Sequence, residues 1–417
     1  MNSVITCSIT APKTQGQLVL HLALHGDCRT ILENRDIVSL RLNDKKIGLS
    51  LVGITLTVAL AAAGTGYYWY SNADVFGAPM TPSQQLAYTH SKNFSQPQFV
   101  NEIETNLEQS FGLMASALWD YITAQNLAPE RNLDVIKTDS SKLNSAMDNT
   151  QLLWFGHSSF LLQTANQTLL FDPIFSDTAA PHPTLGSKRY SKNLPTEPAQ
   201  LPSIDAVIIS HDHYDHLDYP SIMELDAKVK HYYVPLGVGQ HLLHWGIAPE
   251  RISEMDWWQS NDLNGIKLTL TPARHFSGRR LGNRNSTLWG GWMVEAPDQR
   301  IFFSGDSGYG PHFKEIGQRF GPIDIALVEA GQYNYRWQAI HMLPNESVQA
   351  AQDLDARIMM PVHWGAFTLS LHPWAEPAEQ TTLLAQQQGQ SIVIPRIGEL
   401  MQLLQEPIAR DPWWQKY

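Results

Sequence analysis

Between Ser210 and Asp218 the chain reads Ser-His-Asp-His-Tyr-Asp-His-Leu-Asp, which gathers His211, His213, Asp215 and His216 in one short stretch. The run Ala206-Val207-Ile208-Ile209 comes directly before it, and an apolar segment of that kind reads as a buried strand feeding a loop at its carboxyl end. In extended chain, alternate side chains share a face, so His211 and His213 can grip one ion; Asp215 and His216 follow where the chain turns and can face a second. Imidazole nitrogen with carboxylate oxygen suits zinc, and less selectively manganese or iron. The lack of thiolate argues against a structural zinc site. A lone His-x-His is ordinarily a surface or core pair. The full His-x-His-x-Asp-His pattern after a buried strand is far more specific for metal.

On this motif the chain resembles the metallo-β-lactamase superfamily, and more closely the branch that holds the N-acylphosphatidylethanolamine-hydrolysing phospholipase D and its bacterial relatives. The resemblance implies a set of further ligands, and each has a counterpart at the end of an apolar, strand-like run. Thr271-Pro272-Ala273-Arg274-His275 supplies His275, Ile301-Phe302-Phe303-Ser304-Gly305-Asp306 supplies Asp306, and Ile358-Met359-Met360-Pro361-Val362-His363 supplies His363. By this resemblance His211, His213 and His275 hold one zinc, Asp215, His216 and His363 hold the other, and Asp306 bridges them. Two ions sharing a carboxylate acidify a water and stabilise charge on the attacked group. No nucleophilic side chain is then required; there is no Gly-x-Ser-x-Gly elbow, and the 2 cysteines, Cys7 and Cys28, lie far from the motifs. The implied class is metal-assisted hydrolysis with two Zn2+ per chain, Mn2+ or Fe2+ being the alternatives.

The resemblance implies an α/β fold (α+β by some schemes), a four-layer αββα sandwich. Its opening matches Trp154-Phe155-Gly156-His157-Ser158-Ser159-Phe160-Leu161 followed by Leu170-Phe171-Asp172-Pro173-Ile174. Leu152–Phe155, Phe160–Leu162 and Thr168–Phe171 read as short strands, and Asn345–Leu354 and Pro377–Gln388 as helices. Asp172 is implied to orient the ligands by hydrogen bonding, its alternative being an ordinary turn aspartate before proline. His157 reads equally as a structural histidine or as such an orienting donor.

The chain has 417 residues and a formal net charge of −11 with no basic cluster, which makes nucleic acid an improbable partner. No cysteine follows Cys28, so the hydrolase portion is expected to hold no disulfide. Ile47 to Tyr70 carries no charge, is rich in Leu, Val, Ala and Gly, and ends in Tyr67-Tyr68-Trp69-Tyr70. It is expected to be a transmembrane helix preceding the sandwich, with a cleaved signal peptide as the rival reading. Arg29, Arg35, Arg41, Lys45 and Lys46 precede it, which predicts a single pass of a bacterial inner membrane with the hydrolase domain periplasmic; a soluble periplasmic protein follows from the rival. The expected organisation is a tail over 1–46, the anchor over 47–70, a linker and helical lead-in over 71–130, the hydrolase domain over 131–405, and a tail over 406–417. Within the lead-in, Asn72 to about Pro97 reads as linker. Phe99 to Gln125 has a helical period through Val100, Ile103, Leu107, Phe111, Met114, Leu118 and Ile122, which packs on the domain or rests on a membrane.

The substrate is sought in the loops. Ala330-Gly331-Gln332-Tyr333-Asn334, with Trp337 and Ile340-His341-Met342, resembles a segment lining the active site in this branch, and His341 can donate a proton to a phosphoryl oxygen or leaving group. Relatives carry Ala-Tyr-Glu-Pro where this chain has Gln332-Tyr333-Asn334-Tyr335, which loosens the link to any one substrate. Of 13 tryptophans, Trp257, Trp258, Trp289, Trp292, Trp337, Trp364 and Trp374 lie near the motifs and belong to the core or to a groove for acyl chains. The favoured expectation is a di-zinc phosphodiesterase of phospholipase D type. It would act on a lipid or small-molecule phosphodiester, with Asp215, Asp306 and His341 in the chemistry and the membrane engaged through the N-terminal segment. A lactonase or carboxylic-ester hydrolase, and a non-catalytic metal-binding envelope protein, are the alternatives.

Overall fold

The computed structural model describes residues 44–105, 116, 119–120, 122–143, 150–403 and 411–417. The chain divides into two units, Met1–Trp69 and Tyr70–Tyr417. A helix spans Asp44–Asn72, and its side chains are described from Thr55 onward. Most of the tail expected over 1–46, and both cysteines, lie outside the described residues. The expected transmembrane span falls on this helix and is not supported: among the described residues no helix is long and apolar enough to cross a membrane. The single inner-membrane pass inferred from that span loses its basis with it.

In the second unit a short helix, Pro82–Ala87, precedes a short hairpin, β1 (Phe94–Ser95) and β2 (Gln98–Phe99). Then follow β3 (Gln151–Trp154), β4 (Phe160–Thr164), β5 (Gln167–Phe171), β6 (Ile204–Ile208), β7 (Val229–Pro235) and β8 (Ile252–Met255). The second half holds β9 (Ser260–Leu263), β10 (Ile266–Thr271), β11 (Gly291–Glu295), β12 (Arg300–Phe303), β13 (Ile323–Glu329) and β14 (Ala356–Val362), and β15 (Leu400–Gln402) closes the chain. Two sheets result, with strand orders β15-β3-β4-β5-β6-β7-β8 and β14-β13-β12-β11-β10-β9.

Period-two alternation sorts the strand residues into layers. Ala206 and Ile208 of β6 pack with Leu327, Phe303 and Trp292 of the other sheet, while Val207 and Ile209 pack with Ile222, Leu225 and Leu242 from the helices Tyr219–Leu225 and Gly239–His244. In the second sheet Ile301, Phe303, Ile325 and Leu327 face inward. Phe302, Ala326 and Val328 face Phe313, Ile316, Val348 and Ala351 of the helices His312–Phe320 and Pro344–Asp353. This is the αββα sandwich, a sheet pair with helices on both outer faces.

Strand direction decides where chemistry can gather. β5 through β8 run parallel, as do β12 through β14; β3 and β10 share those directions because each lies two antiparallel steps from β5 and β12. The loops after β3, β5, β6, β10, β12, β13 and β14 therefore emerge at carboxyl ends, where open α/β sheets bind their ligands.

The stretch read as a linker is held against the sandwich: Phe76, Tyr88 and Phe99 are buried, Trp245 Nε1 donates to Asp74 O at 2.7 Å, and Tyr88 Oη donates to Glu254 Oε2 at 2.8 Å. The helix expected over 99–125 does not begin at Phe99, which pairs with Phe94 in the hairpin; Val100 to Thr105 is irregular. Its middle lies largely outside the described residues. Of the C-terminal stretch, Trp413 and Trp414 are buried in the inter-sheet core.

At the centre of that core Phe160 stacks on Phe171, with centroids 4.4 Å apart, and Phe303 meets both edge-on at 5.2 and 5.8 Å. Phe303→Ala would empty a ring's volume beneath β12, the strand that leads to Asp306. Its expected cost is about 3–5 kcal/mol of unfolding free energy. Denaturant titration of the metal-free protein checks it, and a loss below about 1 kcal/mol would contradict this packing.

Candidate metal centre

Loop after loop from the carboxyl ends delivers an imidazole or a carboxylate to one buried place. Asp172 follows β5, His211 to His216 follow β6, His275 follows β10, Asp306 follows β12, His341 lies in the loop after β13, and His363 follows β14. The seven expected ligands, joined by His157, fall into two groups that could hold a metal ion: His211, His213, His275 and Asp306, and His157, Asp215, His216 and His363. A third group joins Asp306 and His363 to Glu329 and His341.

Within the first group His213 Nδ1 lies 2.9 Å from His211 Nε2 and 3.3 Å from His275 Nε2, and Asp306 Oδ2 lies 3.7 and 3.8 Å from the latter two nitrogens. In a tetrahedral zinc site, ligand atoms stand about 3.4 Å apart. Tautomers follow from the outer hydrogen bonds. Ser210 Oγ donates to Asp172 Oδ2 at 2.6 Å, so it accepts from His211 Nδ1–H at 2.9 Å. His275 Nδ1–H donates to Ile340 O at 3.0 Å. Both Nε2 atoms are then lone pairs, and at most one proton is left among three converging nitrogens. A cation suits that arrangement.

The second group centres on His216. Its Nδ1 meets Asp172 Oδ2 at 2.7 Å; its Nε2 lies 3.3 Å from Asp215 Oδ2 and 3.1 Å from Asp306 Oδ2. His363 Nδ1 lies 3.2 Å from Asp306 Oδ1 and 3.1 Å from Ser158 Oγ. His216 Nε2 and Asp306 Oδ1 are buried without a hydrogen-bond partner, the condition a bound ion relieves. Histidine ligands are commonly held by a hydrogen bond on the other ring nitrogen, as His216 is through Asp172.

Charge tells the same story. Burial, with the neighbouring histidines, pushes His211, His275 and His363 well below the ordinary histidine range, and burial brings His213 down to about 4. They are neutral imidazoles, the form that ligates. For His216 burial also lowers, but Asp306, Asp215 and Asp172 outweigh it and hold the ring well above its usual value. Burial pushes the Asp306 carboxyl up to about 6. A positive charge is wanted at this spot.

Sequence reasoning left several residues out. His157, weighed evenly above, places Nε2 2.9 Å from Asp215 Oδ2 and fixes that carboxylate. Glu329 was missed because it ends β13 after the apolar run 325–328, where it gives no spacing signal. It accepts from Met342 N at 2.6 Å and Ser307 N at 3.1 Å, and its Oε2 lies 3.1 Å from His341 Nδ1. Burial pushes the Glu329 carboxyl well up. His157, Asp172, Gln332 and His363 all adopt positive φ, between 39° and 66°. Non-glycine residues there cost about 1–3 kcal/mol each and cluster at functional sites. Of the tryptophans near the motifs, Trp289, Trp292 and Trp364 are fully buried and Trp257 and Trp374 nearly so, while Trp258 and Trp337 keep part of their surface exposed.

Residues 167–364 match the family model described as the β-lactamase superfamily domain. The chain is 35% identical over 373 residues to an uncharacterised protein of Mycobacterium tuberculosis strain H37Rv, covering 86% of this chain and 96% of that one. It is 34% identical over 229 residues to the N-acyl-phosphatidylethanolamine-hydrolyzing phospholipase D 1 of Caenorhabditis elegans, covering 52% of this chain and 64% of the relative. A mitochondrial enzyme of the same description from Saccharomyces cerevisiae is 34% identical over 246 residues, 57% of this chain and 52% of that one.

Asp212, between His211 and His213, has no place in the candidate groups. Burial alone would raise its carboxyl, but the hydrogen bond from His241 Nε2 (3.2 Å) and the charges of His241, His213 and Arg279 prevail and hold it at about 2. A carboxyl held below its unfolded value stabilises the fold above that value and loses the effect as pH falls through the folded one. Asp212→Asn should therefore cost the metal-free protein about 2 kcal/mol more above pH ~4 than near pH ~2. Denaturant unfolding of both proteins across that range checks it; a pH-independent difference would show that Asp212 bears no such charge.

Proposed function

The chain belongs to the β-lactamase superfamily as a metal-dependent hydrolase, and we propose that within it this protein is a two-metal phosphodiesterase acting on lipids. The observation that carries the reading is the convergence of imidazole nitrogens and carboxylates around the buried Asp306. In this reading His211, His213 and His275 hold one ion, Asp215, His216 and His363 hold the other, and Asp306 serves both. Bound there, two zinc-class ions, with manganese or iron as alternatives, would acidify a water and neutralise charge on the attacked phosphoryl group.

The remaining work falls to the chain. Asp172, Ser210, Ser158 and the Ile340 carbonyl fix the orientation of the imidazoles, and His157 fixes Asp215. His341 stands beside the cluster, its ring 5.0 Å from that of His275 and stacked 5.3 Å from that of His363. Where the Glu329 carboxyl donates to Nδ1, a neutral His341 carries its proton on Nε2, available to a phosphoryl oxygen or to the leaving alkoxide. The choice of a phosphodiester of a glycerophospholipid is supported by the phospholipase D description of two relatives, of which this chain spans 64% and 52%.

Reconstitution with zinc followed by elemental analysis should give two ions per chain; fewer than about one would remove the shared-carboxylate reading. Asp306→Asn keeps the size of the residue and removes its charge. Hydrolysis should fall at least about a hundredfold, since losing a ligand or its support costs 10–100-fold and this carboxylate serves both ions. Activity within a few-fold of the parent would exclude that role.

The substrate is tested with zinc-loaded protein on mixed-micelle phospholipids, water-soluble phosphodiesters and sugar lactones. Release of phosphatidic acid from the phospholipid is expected. Turnover of lactones alone would replace this reading with that of a lactonase.

A further inference from the structure

Two loops border the histidine cluster, and both expose large apolar side chains. The first runs from Phe276 to Asn285. Phe276 packs against His213 and His275, with ring centroids 4.5 and 4.9 Å away, and the Arg284 guanidinium lies 4.0 Å over the Phe276 ring. At the tip stands Leu281, 89% exposed. The second loop leads to His341. It exposes Tyr335 (67%), and its Arg336 binds Ser116 and Asp120 on the turn that exposes Trp119 and Ile122, each 67%.

A single exposed leucine is ordinary on a protein surface. Leu281 differs in being held in place. Its amide donates to Tyr70 Oη at 3.0 Å, Arg280 N donates to Asn283 Oδ1 at 2.7 Å, and Asn285 N donates to Ser277 O at 2.9 Å. Gly282 and Asn285 take the positive φ values, 84° and 58°, that close the turn. A rigid loop that presents a leucine to water gains nothing for the fold.

Charge identifies what it would meet. The chain carries a net charge of −11, yet from Phe276 to Ser286 there is no acidic residue and three arginines, Arg279, Arg280 and Arg284. Arg279 is buried and structural. Arg280 and Arg284 flank Leu281, an apolar tip between cations, which matches a surface of anionic headgroups over hydrocarbon.

We propose that the Phe276–Asn285 loop, with the Tyr335 and Trp119 side of the mouth, is the face by which this protein sits on an anionic lipid bilayer. Leu281 enters the acyl boundary, and Arg280 and Arg284 meet lipid phosphates. The inference deepens the lipid reading above and rests on it for its purpose. A substrate with its scissile phosphodiester at the headgroup level would then have a short path to the histidines beside Phe276.

The test uses the full-length, metal-free protein, so nothing turns over and binding is measured apart from hydrolysis. Leu281→Cys in a Cys7→Ser, Cys28→Ser background is labelled with an environment-sensitive fluorophore and mixed with vesicles of phosphatidylglycerol and phosphatidylcholine. A blue shift and a rise in emission are expected on these vesicles, weakening with added salt. Neither is expected on phosphatidylcholine alone, nor from a probe at Leu383→Cys on the helix Glu376–Gln388. In the unlabelled protein, Leu281→Ser should weaken vesicle binding at least about tenfold. Arg280→Gln with Arg284→Gln should weaken it about 25-fold, near fivefold per cation.

Failure to bind, or binding with an unshifted probe at position 281, overturns the proposal. An equal shift on phosphatidylcholine alone removes the anionic partner, and a shift driven by protein concentration without vesicles gives the face to a second copy of the chain. Loss of micellar phospholipid hydrolysis in the earlier comparison, with this binding intact, would instead count against the substrate reading.

Discussion

Burying so many imidazoles and carboxylates together is the constraint to which the rest of the second unit answers. Asp172, Asp306 and Glu329 are almost wholly removed from water, and His157, His211, His216, His275 and His363 share their surroundings. Such a set is tolerable only if each group is hydrogen-bonded or neutralised. The chain meets the demand from outside inward. Ser210, Ser158, the Ile340 carbonyl and the Met342 and Ser307 amides each take up one polar atom, and the inner atoms are left facing one another. What remains unbalanced is negative charge around His216, the balance that a cation restores.

The same constraint explains the two sheets. One strand can deliver at most a few ligands from its end, so a cluster of this size needs several parallel strands ending side by side. β5 and β6 in one sheet and β12, β13 and β14 in the other supply them, and the inter-sheet core of Phe160, Phe171 and Phe303 sets the distance between the two sets of ends. The backbone yields where it must: Asp172 and His363, each directly after its strand, take positive φ to aim a side chain back over the sheet edge.

Much of this could be read from the chain because strand and ligand are neighbours in sequence. The Ala206–Ile209 run followed by the histidines, and the apolar runs before His275, Asp306 and His363, carry the fold and the candidate ligands in one pattern. Glu329 could not be found that way, since an acid closing an apolar run gives no periodic signal; only its contacts with the Met342 and Ser307 amides and with His341 reveal its place. Composition misled at the amino-terminal side. Asn72 to Pro97 is polar enough to read as linker, yet Phe76 and Tyr88 anchor it, and the period expected over 99–125 ran across Phe99, which pairs in a hairpin instead. The uncharged stretch to Tyr70 suggested a span, and among the described residues no helix is long and apolar enough to cross a membrane.

That misread lead-in turns out to bear on the metal-binding loop itself. Arg279 Nη1 donates to Asp212 O and Leu217 O, both at 2.7 Å, and so closes the two ends of the loop that carries His213, Asp215 and His216. The same guanidinium reaches Val75 O through Nη2 at 2.7 Å. Next to it, Ala78 N donates to His241 Nδ1 at 3.1 Å, which leaves the proton of a neutral His241 on Nε2, facing Asp212. Gly77, at φ 64°, has no room for a side chain, since a Cβ there would lie 2.1 Å from the His241 ring. Residues 74–78 are thus tied to the histidine loop through two buried side chains, each of which touches both. A segment that looks like spacer in the sequence is, in the fold, part of what holds three of the candidate ligands in register.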